Sequence, residues 1–214
     1  LKGITLERIG KADEARPTYR RISNAGLGHW YAAETYDGPF TPKKDYPAAI
    51  KEFEELRKAF YSQEWSAMAQ WRIADIYHHS LKKTDEAVEA YRQVIKRFGT
   101  VVMSNVYLGV NQHDGFGVRA PDREFGPEAQ LALSDALREA SRWDDAVMEY
   151  RVVRTKYAKS PCTPVASYRV ALCYEGKEDS DSAINVLKSV LRLYPKTKSA
   201  SDAHTHLETK YKIP

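Results

Sequence analysis

The side chains in this sequence that are most able to do chemistry are its clustered histidines. The candidate metal ligands are the neighbours His78 and His79, and the pair His204 and His206. Adjacent residues diverge on a helix, and residues two apart do not share a face, so neither pair makes a ligand set on its own. No cysteine or carboxylate spacing completes either pair. We therefore predict no metal site and no cofactor.

Motifs for phosphate binding and nucleophilic catalysis are missing from the sequence. No glycine-rich loop leads into a Lys-Ser or Lys-Thr pair at the spacing of a phosphate-binding loop, and neither a nucleophile elbow nor a two-histidine zinc helix occurs. Gly109, Gly115 and Gly117 follow no predicted strand, so they indicate a flexible connection. We predict that the protein is not an enzyme and has no catalytic residues.

One set of candidate side chains recurs at equivalent positions along the chain. Four predicted helices each carry a small residue, at positions 33, 74, 134 and 171. The residues three before, one after and four after it lie along one stripe of the helix. In chain order these are Trp30, Glu34 and Asp37; Trp71, Asp75 and His78; Leu131, Asp135 and Arg138; and Tyr168, Leu172 and Glu175. We call this set the first-helix stripe.

The stripe combines aromatic or leucine side chains with charged ones, and most of these charges are acidic. Aromatic side chains are common anchors in protein interfaces, and surrounding charges select the partner. We therefore predict that the first-helix stripe binds a protein partner. The alternative is that each large side chain is packed in the core beside a solvated carboxylate.

A second repeated pattern identifies the helices that must position the stripe. An alanine is followed by a large residue four positions later and, in every copy, by an apolar residue three positions after that, which places all three on one helical face. The alanines are Ala15, Ala49, Ala87, Ala146 and Ala183, at intervals of 34, 38, 59 and 37 residues. A period near 34 is typical of helix-turn-helix repeats, and the longest interval indicates one repeat with an insertion of about twenty residues.

This pattern resembles that of tetratricopeptide repeat proteins, especially the variant found in bacterial envelope and outer-membrane assembly proteins. The matching residues are Tyr194-Pro195 followed by Ser199-Ala200, with Tyr157 and Ser160-Pro161 as a displaced copy. The resemblance covers nearly the whole chain. It implies an all-α fold, a right-handed α-solenoid of helix-turn-helix repeats with a C-terminal capping helix. It also implies that the first-helix stripe lines a concave, partner-binding groove.

The predicted organisation is a single solenoid with one insertion. The first unit contains Pro17 within its second helix and shows no first helix, so we expect it to be degenerate. The insertion is apolar and longer than a solenoid connection requires, so it either folds over neighbouring helices or docks on a partner. The repeat units cover about residues 1–22, 23–61, 62–98, 127–158 and 161–195, the capping helix 199–211 and the insertion 99–126.

Composition limits the classes of partner. Thirty-three basic and 29 acidic residues alternate along the chain and leave a net charge of only +4, which predicts solvated helix surfaces and no nucleic-acid partner. No apolar run approaches the ~18 residues of a transmembrane helix. The sequence opens at Leu1, which is compatible with removal of a signal peptide. The sequence therefore leaves two localisations open, namely the bacterial periplasm or envelope and the cytoplasm.

We predict a non-catalytic scaffold or adaptor for protein–protein interaction in a multiprotein assembly. Its groove is expected to hold an extended or helical segment that carries Lys or Arg beside apolar residues. Two alternatives stay open. The first is an accessory structural subunit of a large multi-subunit enzyme complex. The second is a bacterial envelope or outer-membrane biogenesis factor.

Overall fold

The fold is all-α. The computed structural model describes residues 2–22, 25–38, 41, 43–59, 63–103 and 123–213. The helices in these ranges are α1 (Lys2–Arg8), α2 (Ala12–Tyr19), α3 (Ala25–Asp37), α4 (Tyr46–Ala59), α5 (Gln63–Asp75), α6 (Thr84–Phe98), α7 (Phe125–Glu139), α8 (Trp143–Lys156), α9 (Cys162–Gly176), α10 (Ser180–Leu193) and α11 (Lys198–Tyr211). A π-helical turn at Ile76–Ser80 and two short strands, β1 (Val102–Met103) and β2 (Arg123–Glu124), form the other regular structure in these ranges. The predicted fold class of consecutive helix-turn-helix units is confirmed.

The chain divides into two compact units, residues 1–125 and residues 126–214. In the first unit, each helix from α1 to α6 packs against the next. In the second unit, α8 packs on α9, α9 on α10, and α10 on the capping helix α11, which also contacts α9. Each predicted repeat range holds one pair of helices, except that α7 begins at Phe125, two residues before the range 127–158 and within the end of the predicted insertion 99–126. The single continuous solenoid stays a prediction.

The five repeat-marking alanines lie at the contacts between helices. Ala15, Ala49, Ala87, Ala146 and Ala183 all have 0% of their surface exposed. The large residues four positions later are buried as well, among them Phe53, Tyr91 and Tyr150. A methyl side chain lets two helix backbones approach, and the larger neighbour one turn on fills the remaining space. The helical face that these alanines share with the large residues is therefore the buried face of each second helix.

The turn between the two helices of a repeat has a recurring backbone conformation. Gly10, Lys82, Ser141 and Glu178 have φ values of 80°, 53°, 59° and 62°. Each of them stands five residues before a marker alanine. A left-handed residue stops a helix and lets the next one begin in a new direction. The turn is therefore a structural repeat even though its residue type varies.

The first repeat has a first helix, contrary to our prediction. Helix α1 has seven residues, and its buried Gly3 lies so close to the Tyr19 ring that a Cβ there would approach ring atoms to 2.5 Å. So short a helix presents too few apolar residues to show a helical period in the sequence. Pro17 lies inside α2, and the helix ends at Tyr19, two residues after it.

Helix α5 continues into a π-helical turn at Ile76–Ser80. The Leu81 N–H donates to the carbonyl oxygen of Ile76 at 2.9 Å, which is the five-residue spacing of a π turn. The rings of His78 and His79 are stacked here, with centroids 3.9 Å apart. The expectation that these two side chains diverge was wrong, because it assumed ordinary α-helical geometry.

The ends of the insertion are joined by the two strands. Val102 pairs with Glu124 and Met103 with Arg123 in an antiparallel register. Residues 104–122 lie outside the described residues, so both interpretations of the insertion stay predictions.

None of the helices that the structure describes has both the length and the apolar character needed to span a bilayer.

Candidate partner-binding surface

Trp30 lies in the core of the first unit. Only 8% of its surface is exposed, and its ring packs edge-on against Phe53 with centroids 5.0 Å apart. The centroid of the Trp65 ring, on α5, lies 6.3 Å from that of Trp30. Of the two interpretations of the stripe, the core one therefore describes Trp30. The buried Trp30 side chain packs beneath the stripe, and its indole N–H donates a hydrogen bond to Glu34.

Trp71 occupies the equivalent position on α5 and remains partly exposed. Its ring makes edge-on contacts with Tyr91, at a centroid distance of 5.5 Å, and with Phe125, at 6.3 Å. One side of the indole is thus fixed by the core while another part reaches solvent. Trp71 is the large stripe residue of the first unit that is able to contact a partner.

Glu34 is a carboxyl group in a poorly solvated position on α3. Burial raises its pKa to about 7, although the charge of Arg72 and the hydrogen bond from Trp30 act in the opposite direction. The neighbouring charges of Asp37 and Glu7 raise the pKa further. Close to neutral pH this group is therefore able to exchange its proton when a cation approaches.

Arg72 joins the stripes of α3 and α5. Its Nη2 lies 2.8 Å from Asp37 Oδ2, and its Nη1 lies 2.5 Å from Asp75 Oδ2. The Asp37 side chain is 1% exposed, and burial raises its pKa despite the charges of Arg72 and Lys44. Its second oxygen, Oδ1, is buried and has no hydrogen-bond partner among the described residues. Asp37 and Asp75 thus share one guanidinium, whose charge also acts on the third stripe carboxyl group, Glu34.

His78 points into the core and not along the stripe. It is 5% exposed, and its Nδ1 lies 3.5 Å from the Tyr91 hydroxyl. The prediction that His78 belongs to the stripe requires an unbroken α-helix, whereas the backbone widens into a π turn from Ile76 onwards. The neighbouring His79 is exposed instead, and its Nε2 lies 3.5 Å from Asp75 Oδ1.

In the second unit, Asp135 of α7 is the centre of a similar ionic cluster. It accepts hydrogen bonds from the Tyr150 hydroxyl and from Arg169 of α9, and Arg138 Nε lies 4.0 Å away. Burial raises the pKa of Asp135, and the Arg169 charge is the largest opposing effect. Leu131, one turn earlier on the stripe, is partly exposed.

The stripe residues of α9 are bound by the capping helix. The Tyr168 hydroxyl lies 3.1 Å from His206 Nδ1. Glu175 Oε1 accepts a hydrogen bond from the Tyr211 hydroxyl at 2.7 Å and lies 2.9 Å from His206 Nε2, while Lys210 Nζ lies 3.0 Å from Oε2. These two positions therefore hold α11 in place, and a partner would have to compete with it.

The basic residues that neutralise these carboxylates lie outside the predicted stripe. Arg72 and Arg169 each stand two positions before the small residue of a first helix, and each reaches an acidic stripe residue on the first helix before its own. The equal offset is visible in the sequence. The stripe contains only residues separated by steps of three and four, so it does not include these arginines. An arginine next to the stripe can bridge to another helix only where that helix is adjacent, and the sequence does not show this.

A buried glutamine is a second feature outside the predicted stripe. Gln70 and Gln130 each stand four positions before the small residue and are about 95% buried. Gln70 Nε2 donates to the carbonyl oxygen of Ala90 at 3.2 Å, and Gln130 Nε2 donates to that of Glu149 at 3.4 Å. Both acceptors stand three positions after a marker alanine, so the amide joins the two helices of a repeat.

Comparison with known proteins identifies this architecture. Residues 68–100 and 165–197 each match the family of the tetratricopeptide repeat. These segments include α6 and α10, which carry the markers Ala87 and Ala183, together with parts of α5 and α9. A search of the curated proteins finds no significant match.

Solved structures resemble the chain over most of its length. One is YrrB, described as a TPR protein with an unusual peptide-binding site, with 16% identity, a TM-score of 0.53 and coverage of 95% of this chain and 88% of YrrB. Another is MamA, with 16% identity, a TM-score of 0.53 and coverage of 99% and 92%. MamA from Desulfovibrio magneticus has 12% identity, a TM-score of 0.53 and coverage of 92% and 93%. Two segments of the chain therefore match the tetratricopeptide repeat, and the chain has the fold of proteins that are built from such repeats.

Proposed function

We propose that the protein is a non-catalytic scaffold or adaptor that binds other proteins, and that the first unit's part of the first-helix stripe is a binding surface. The observation that carries the proposal is the group of Glu34, Asp37 and Asp75 around Arg72, beside the partly exposed ring of Trp71. An aromatic anchor next to an excess of carboxyl groups is suited to a segment that carries Lys or Arg beside apolar residues.

The protonation of Glu34 supports a cationic partner. In the free protein, burial favours the neutral carboxyl, since its pKa is raised to about 7. A partner cation placed next to it would stabilise the ionised form. Binding would then release a proton from the complex near neutral pH. Affinity for a basic segment should accordingly increase as the pH rises from about 6 to 8.

Peptide binding is compatible with this fold, since YrrB has the same architecture and is described as having a peptide-binding site. Two more specific roles are part of the proposal. If the chain binds permanently to one large enzyme complex, it is an accessory structural subunit of that complex. The Tyr194-Pro195 and Ser199-Ala200 pattern is what supports a role in bacterial envelope biogenesis.

Selection from a random-peptide display library tests the proposal without a known partner. We expect the enriched peptides to carry Lys or Arg beside apolar residues. For the best of them, Trp71→Ala should weaken binding about tenfold, and Asp75→Asn should slow association mainly at low salt. Glu55→Gln, on the exposed side of α4, is the matched control and should bind as the wild type does. Melting curves verify that each variant is folded.

Two results would contradict the proposal. One is the enrichment of peptides without basic residues. The other is unchanged binding of the folded Trp71→Ala and Asp75→Asn variants. If a chain lacking residues 104–122 then failed to bind the same peptides, the insertion and not the stripe would be the docking surface.

A further inference from the structure

A groove runs between the second helices α4 and α6 of the first unit. It encloses about 480 Å³, within the range of small binding clefts. Its floor is apolar and is formed by Ile73 and Tyr77 from the region of α5 and by Ala90 of α6. Gln70 and Ile73 lie on the face of α5 opposite to Trp71 and Asp75, because of the helical offsets between them. The groove is therefore distinct from the first-helix stripe.

The rim of the groove is acidic. Four carboxylate side chains line it, namely Glu54 of α4 and Asp85, Glu86 and Glu89 of α6. Arg57 is the one basic side chain that lines it, and its Nη1 donates to Gln70 Oε1 at 2.6 Å. Lys83 stands at the start of α6, 3.4 Å from Glu86. The carboxylates outnumber these two cations by two to one, so the rim attracts positive charge.

Gln70 links the two walls of the groove through its amide group. Its amide oxygen accepts from Arg57 on α4, and its amide nitrogen donates to the carbonyl oxygen of Ala90 on α6. The Gln70 side chain is 4% exposed, so its hydrogen bond to Ala90 is shielded from water, while the bond from Arg57 is partly buried. A cleft with a polar tie to each wall is restrained before a ligand arrives, which lowers the entropic cost of binding.

We propose that this groove binds a basic amphipathic segment of a partner protein. Aliphatic side chains of that segment would cover Ile73, Tyr77 and Ala90, and its Lys or Arg side chains would reach Glu54 and Glu89 on the two walls. The long methylene stems of these basic residues suit a cleft with an apolar floor and an acidic rim. Together with the stripe on the other face of α5, the first unit would then contact basic segments at two separate surfaces.

The test uses a fluorescein-labelled peptide in which leucine alternates with lysine, and a second peptide with glutamate in place of lysine. Binding to the full chain is followed by anisotropy at low salt, and the contact site is mapped by amide chemical shifts of the isotope-labelled chain. We expect the lysine peptide to bind and to shift residues 54–57 and 85–93. Glu54→Lys combined with Glu89→Lys should weaken this contact about tenfold or more. Glu55→Lys, one position along α4 from Glu54 and paired with Lys58 on the exposed surface, is the matched control.

Each possible result decides the proposal. Loss of the shifts at residues 85–93 in the double variant, with the control unchanged and both variants folded, supports it. Three results overturn it: no binding of the lysine peptide, equal binding of the glutamate peptide, or shifts confined to residues 34–37 and 71–75. The last pattern would leave the proposed function intact, whereas shifts at 85–93 without any at the stripe would support the groove and contradict the stripe.

Discussion

At the scale of single residues, Glu34 shows how burial changes the chemistry of a carboxyl group. Its neighbours include one cation, Arg72, and two further acids, Asp37 and Glu7. Desolvation outweighs the attraction of the arginine, so the pKa is raised to about 7 and the neutral form is stabilised in the folded protein. Since the unfolded chain ionises this group at an ordinary, lower pH, folding at neutral pH involves uptake of protons by Glu34.

The stability of the protein should therefore fall as the pH rises from about 4.5 to 7, to the extent that Glu34 contributes. The folded pKa is raised, so the stabilisation is complete below the unfolded value and is lost as the pH passes through the folded one. Glu34→Gln removes this contribution and keeps the side-chain volume. Relative to wild type, we expect the variant to gain about 1 to 3 kcal/mol between pH 5 and pH 8.

Urea denaturation at both pH values measures this difference, and Glu55→Gln, an exposed carboxyl on α4, is the control. Identical pH dependence in wild type and Glu34→Gln would contradict the burial of Glu34.

At the scale of elements, successive first helices are joined by arginine bridges. Arg72 links α5 to Asp37 of α3, and Arg169 links α9 to Asp135 of α7. In both cases the acidic partner is the more deeply buried member, with Asp37 only 1% exposed. An arginine suits this position because its planar guanidinium can contact two carboxylates at once. The bridges hold neighbouring repeats in register through groups that the sequence suggested would face a partner.

Replacing Arg72 with methionine should be strongly destabilising. The change leaves the buried Asp37 without its ion-pair partner, and the loss of such a partner costs about 2 to 4 kcal/mol when one member of the pair was partly exposed. Adding Asp37→Asn should restore most of the loss, because the buried charge is then removed as well. Lys58→Met, at an exposed pair with Glu55, should change the free energy of unfolding by less than about 0.5 kcal/mol. Thermal or urea unfolding of the wild type and these three variants tests the coupling, and equal losses in the single and double variants would show that Asp37 does not depend on Arg72.

At the scale of the whole molecule, each unit must close its own core. In the second unit the last layer is α11, whose Ala203 and Leu207 pack on Leu187 and Val190 of α10. The polar contacts of His206, Lys210 and Tyr211 with Glu175 lie beside this apolar cluster. Helix α11 thus has an apolar face against the repeat before it and exposed polar residues elsewhere, a pattern typical of capping helices.

Truncating the apolar side of the cap should destabilise the second unit. Leu207 is 3% exposed, and Leu207→Ala removes buried methyl groups and leaves a cavity, which costs about 2 to 5 kcal/mol. Glu208→Ala, at the next and exposed position of α11, should change the free energy of unfolding by less than about 0.5 kcal/mol. Urea denaturation compares the two, and a small effect of Leu207→Ala would show that α11 is not required to close the core.

Periodicity alone determined most of the architecture. The spacing of Ala87, Tyr91 and Val94, and its copies elsewhere, predicted the second helices, and the small residue at 74 with its neighbours predicted the first helices. This spacing is enough to predict the helices because an amphipathic helix buries one face, and the residues of that face lie three and four positions apart. The short α1 was missed, since seven residues do not show a period.

Which stripe residues are exposed was decided by tertiary structure. Trp30 and Trp71 have the same register and equivalent ring contacts, with Phe53 and Trp65 around Trp30 and with Tyr91 and Phe125 around Trp71, yet only Trp71 remains partly exposed. His78 left the stripe when the backbone widened into a π turn, and Asp37 is neutralised by an arginine 35 positions away. Register along one helix specifies a direction for each side chain, but solvation and charge pairing depend on what a second helix brings there. The sequence therefore determined the scaffold, while packing between helices decided the surface that it presents.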